Sequence, residues 1–129
     1  MTAARWRRGF TLIELLVVLA ALAVLLTLAA PRYLEHVDRS REVVLRHNLA
    51  AIRDAIDKFR ADRARYPASL QELVSERYLR ELPMDPVTER SDTWVVLGPG
   101  GQTAAAASVA DVRSGALGAA KDGSTYAQW

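Results

Sequence analysis

One block of the sequence constrains the fold more than everything else: between Leu15 and Ala30 only Thr27 is not apolar. The wider run from Phe10 to Ala30 meets the length condition for a membrane helix, since about 20 mostly apolar residues cross about 30 Å of hydrocarbon. The chain has 129 residues, half of them apolar. With so many of those in one block, roughly a hundred residues remain for a folded body, which must lean on a long helix or assemble with copies of itself to bury enough surface. Glu14 interrupts the run near its start. A carboxylate costs about 2.5–3.5 kcal/mol at the centre of a membrane helix on insertion scales and less toward an end, so Glu14 is expected to have a function and a partner.

Seventeen Lys and Arg against 15 Asp and Glu give a net charge of +2. The excess is local. Without Arg5, Arg7 and Arg8, which precede the apolar block, the balance is 14 basic to 15 acidic. The basic character is therefore a topology signal, because cytoplasmic flanks of membrane helices are rich in Lys and Arg. The chain has no cysteine, so a disulfide framework, a thiolate metal site and a thiol nucleophile are all excluded.

The block admits a cleaved secretory signal, with Thr27 and Ala29 as a passable cleavage site, and it admits a plain single-span anchor. The first conflicts with the length of the run, and the second leaves Glu14 unexplained. A third reading comes from resemblance. The segment GFTLIELLVVLAALAVLLTLAAP, Gly9 to Pro31, resembles the N-terminal signature of type IV pilins and of the pseudopilins of type II secretion systems. The pattern is a short basic leader, a Gly, an aromatic first mature residue, a Glu at the fifth mature position and a long apolar helix. The resemblance implies that a membrane-embedded prepilin peptidase cuts between Gly9 and Phe10 and that the new amine of Phe10 is N-methylated. It further implies that Glu14 pairs with that amine on a neighbouring subunit during assembly, and that Pro31 bends the helix. An interior proline removes one helical hydrogen bond and crowds the preceding turn whatever the family.

Past Pro31 the apolar residues become periodic: Leu34, Val37, Leu45, Leu49, Ile52, Ile56 and Phe59 mark one face of an amphipathic helix over 31–65. The other face carries Arg46, His47, Arg53, Asp54, Asp57 and Lys58, with i,i+4 pairs available. Ser69 and Glu72 form a capping box for a short helix over 69–78. Pro83 and Pro86 exclude helix after it. Thr93–Leu97 and Ser108–Arg113 read as strands, with 104–107 ambiguous between them. Tyr126 and Trp129, after turn signals at Gly115–Gly118 and Asp122-Gly123, are expected to pack against the domain. The fold class is α+β: a long N-terminal helix on a small antiparallel sheet.

That order again resembles the G-type major pseudopilin, and the resemblance covers nearly the whole chain. It implies a leader at 1–9, a transmembrane and polymerisation helix at 10–30 and a periplasmic domain at 31–129, with strands and loops over 92–129. It implies a single-pass inner-membrane protein, N-terminus cytoplasmic, that forms a homopolymer and works with minor pseudopilins and an inner-membrane assembly platform. G-type pseudopilins commonly carry a calcium-stabilised acidic loop. Here Asp111 and Asp122 are the candidate carboxylate ligands, with Ser114 and Ser124 as helpers. Calcium takes six to eight oxygens, so turn and capping roles compete with that assignment.

His36 and His47, eleven apart on one helix, lie about 16 Å apart and cannot share a metal. No nucleophile elbow, Walker A loop, H-E-x-x-H or G-x-G-x-x-G occurs, and Ser114 reads as a solvated loop serine. No catalysis is expected. The function implied is a structural pseudopilus subunit; the alternative is a minor type IV or competence-type pilin acting as a binding module at a filament tip. DNA binding needs a basic stripe in the body. Arg60, Arg63 and Arg65, interrupted by Asp62, are more simply a helix C-terminus complementing its dipole, so no nucleic acid is expected.

Overall fold

The computed structural model describes residues 8–103 and 108–129; the readings placed on Arg5, Arg7 and Ala104–Ala107 lie outside the described residues. Helix α1 spans Leu12–Arg63 and contains Pro31. The chain divides into two compact units, Met1–Val37 and Asp38–Trp129.

In the first unit the helix buries nothing. Leu12 is 77%, Leu19 54% and Leu28 68% exposed, which leaves a length of apolar surface that no soluble helix would leave uncovered. Thr27, the polar exception, donates its hydroxyl to the Val24 carbonyl at 2.6 Å. No side-chain polar group of the block therefore needs water, as a lipid environment requires. Leu34, expected on the seam of the amphipathic helix, is 62% exposed, so the buried seam begins further on.

The second unit is built on that seam. Leu45, Leu49, Ile52, Ile56 and Phe59 are almost wholly buried, and their alternating steps of four and three place them on one stripe of α1. Against it pack Leu70 and Leu73 of α2 (Leu70–Ser75), then Trp94, Val109 and Val112. Strands β1 (Val95–Leu97) and β2 (Asp111–Arg113) pair antiparallel, with Val96 opposite Val112. The sheet is shorter than the strands expected over 93–97 and 108–113, and the second helix is shorter than 69–78. Ser69 caps α2 by accepting the Glu72 N–H, while the Glu72 carboxylate reaches back one residue further than a standard box, to the Ala68 N–H at 2.6 Å. Arg77, at φ 66°, closes the turn after α2 with Tyr78 N–H donating to the Leu73 carbonyl at 2.8 Å.

Tyr126 and Trp129 do pack on the core, but both remain partly exposed. A 3-10 turn over Tyr126–Gln128 carries them.

Candidate functional site

The first turn of α1 holds the residues on which assembly would depend. Thr11 precedes the helix and its Oγ1 accepts the Glu14 N–H at 3.2 Å. Thr11 and Glu14 thus stand at the Ncap and N3 positions, where a hydroxyl satisfies an orphan donor and where the helix macrodipole favours a carboxylate. Local helix physics alone accommodates Glu14 there. Its side chain, however, is exposed, and among the described residues no basic group lies within ion-pair distance of it. Arg8, Gly9, Phe10 and Glu14 line one open recess, and Phe10 is 86% exposed. At Gly9 an added Cβ would meet nothing within 4 Å; the packing of this chain gives no reason for a glycine there.

Comparison with known proteins bears on that unexplained set. The family described as the prokaryotic N-terminal methylation motif matches residues 7–30. The chain is 31% identical to the type II secretion system core protein G of Pseudomonas aeruginosa over 98 residues, 64% of this chain and 69% of that one. It is 33% identical to the core protein G of Klebsiella pneumoniae over 96 residues, 62% of this chain and 69% of the relative. The chain belongs to the type II secretion system core protein G family. A type IV major pilin protein PilA of Myxococcus xanthus is 37% identical over 59 residues, 46% of this chain and 27% of the pilin. No solved structure is a significant match.

For a core protein G the acidic C-terminal residues raise the question of calcium. The donor set does not fit one. Asp111 Oδ1 accepts from Arg53 Nε at 2.8 Å, and the same guanidinium donates to the Val112 carbonyl at 2.8 Å. Asp122 Oδ2 accepts from Arg46 at 3.1 Å, while its Oδ1 accepts both the N–H and the hydroxyl of Ser124. Those hydrogen bonds from Ser124, with the Arg46 charge, hold the Asp122 carboxyl below its ordinary pKa. Arg46 and Arg53 stand two turns apart on α1, about 10 Å. Two carboxylates, each committed to its own guanidinium, are ion-pair partners and turn residues rather than a shared oxygen cage.

Ser114 is not a solvated loop serine. It is 1% exposed and donates to Asp85 Oδ2 at 2.6 Å. Asp85, fully buried, accepts the Val87 and Thr88 N–H groups on its other oxygen. This lock fixes the proline-rich link 82–90 to the segment after β2. Nothing local in the sequence marks this lock, since Asp-Pro reads only as a turn. The helical period puts Arg46 and Arg53 on the face opposite the seam, but each follows a seam residue closely, Leu45 and Ile52, and from there Arg53 reaches β2 and Arg46 reaches the C-terminal segment.

Proposed function

We propose that the chain is a structural subunit of the periplasmic pseudopilus of a type II secretion system, made as a prepilin and processed before assembly. Residues 1–9 are a leader removed by prepilin peptidase after Gly9, Phe10 becomes the N-methylated first residue, and 10–30 anchor the subunit in the inner membrane. The N-terminus faces the cytoplasm and 31–129 the periplasm. Subunits polymerise as Glu14 meets the Phe10 amine of a neighbour, Pro31 supplies the helix bend, and minor pseudopilins and an inner-membrane platform start the filament. This reading gives the chain no reaction of its own.

The observation that carries it is the first unit: an apolar helix exposed along its length that nonetheless carries Glu14, which makes no ion pair among the described residues. The N3 position seats Glu14 but supplies no counter-charge, and a polymer of such helices in a membrane does, because an intramembrane charge is stabilised by a partner of opposite sign. The minor-pilin alternative draws no separate support, since the pilin match spans the smaller part of both chains.

Glu14→Ala and Glu14→Val, expressed in cells lacking the parent copy, test the assignment. Both variants are expected to accumulate in the membrane, because removing the charge lowers the insertion cost, yet to form no filament and export no substrate. Filaments and secretion at the parent level would contradict it.

A further inference from the structure

The C-terminal segment is tied to α1 by one side chain in particular. The Arg46 guanidinium lies 4.0 Å from the centroid of the Trp129 ring and donates to Asp122 at 3.1 Å. Trp129 in turn donates its indole N–H to Ser124 Oγ at 2.8 Å, and Ser124 bonds Asp122. One turn earlier on α1, Glu42 accepts the Lys121 backbone N–H at 3.0 Å and the Tyr126 hydroxyl at 3.3 Å. Tyr126 and Trp129 meet edge to face at 5.3 Å.

We infer that Arg46, gripping Asp122 and Trp129 together, fastens the segment 119–129 to α1 in place of a divalent cation, so that the body of this chain is calcium-independent. A metal in a C-terminal loop works by drawing several oxygens around a positive charge. Here a fixed guanidinium supplies that charge. It satisfies a carboxylate on its edge and an aromatic ring on its face, both of which a guanidinium does at once and an ammonium does poorly. The Asp122 oxygens are committed to Arg46 and Ser124, and a guanidinium at ion-pair distance opposes the approach of calcium. Each contact is partly exposed and modest alone; the grip comes from closing a ring of bonds through Arg46, Asp122, Ser124 and Trp129.

The two lysines of the chain make this testable. Lys121 lies in the fastened segment and Lys58 in the last two turns of α1, between the buried Ile56 and Phe59, so a lysine-specific protease reports release of the segment at one and unfolding of the body at the other. In the full chain in detergent, cleavage after Lys121 should proceed at the same rate in saturating calcium and in excess chelator. Arg46→Gln should speed that cut by about tenfold while Lys58 stays protected, with no recovery on adding calcium. Acceleration by chelator in the parent, or an unchanged rate in Arg46→Gln, overturns the inference. Should Arg46→Gln expose both lysines together, Trp129→Leu decides, since it leaves Arg46 on Asp122 and the cleaved bond unchanged: faster cleavage at Lys121 alone supports the clamp, and any other pattern overturns it.

Discussion

At the scale of single residues, the body depends on a few positions where there is no room or no water. Gly115 is one: an added Cβ would lie 2.0 Å from the Thr93 carbonyl oxygen. Backbone cannot yield as a flexible side chain does, so Gly115→Ala should destabilise the body by about 2–3 kcal/mol, read as a lower midpoint in chemical denaturation. Asp85 is another. Asp85→Ala would leave the buried Ser114 hydroxyl and two N–H groups without their acceptor, at about 3 kcal/mol or more. Ser114→Ala, which removes one donor and strands less, should cost about 1.5–3 kcal/mol. The larger loss for Asp85 is the checkable point. Neither position announces its role in the sequence. Gly115 reads as a turn glycine, and the chain segment that crowds it is 22 residues away; Ser114 reads as loop because the acceptor that buries it lies on the other side of two prolines.

At the scale of elements, the helices were legible and the small sheet only in outline. The spacing of Leu45, Leu49, Ile52, Ile56 and Phe59 dictates a stripe before any fold is known, because 3.6 residues per turn leaves them no other arrangement. Leu49→Ala should accordingly cost about 2–5 kcal/mol. The strands are too short for alternation to fix their ends, and what holds them is non-local: Arg53 bridging to Asp111 and Val112. Capping was half legible. Ser69 and Glu72 mark the start of α2, yet the Glu72 carboxyl is held low first by Arg65, then by the Ala68 N–H, and Arg65 lies outside the local pattern. A carboxyl whose folded pKa is depressed, as those of Glu72 and Asp122 are, contributes stability that is present above its unfolded pKa and is lost as pH falls through the folded value. The melting temperature should therefore be insensitive to these groups above about pH 5 and decline below about pH 4. Arg65→Gln should weaken that acid-side slope.

At the scale of the whole molecule, the two units present different surfaces, the first apolar and uncovered, the second with its apolar stripe buried. Residues 38–129 bury their own stripe and close their own polar groups: no buried side-chain nitrogen or oxygen among the described residues lacks a partner. A fragment lacking 1–33 should be soluble, monomeric and cooperative in thermal unfolding; aggregation of that fragment would mean that the body needs the membrane helix or its neighbours to fold. The first unit has no such closure, with Phe10, Glu14 and the exposed apolar surface between Leu12 and Leu28 all waiting on lipid or on other subunits. The proposed processing at Gly9, which the methylation motif matched over 7–30 supports, is the step on which the rest turns. Intact mass and N-terminal sequencing of the protein extracted from membranes measure it directly. The expected result is a chain beginning at N-methylated Phe10; a chain beginning at Ala30, or one retaining residues 1–9 in assembled filaments, would contradict the account.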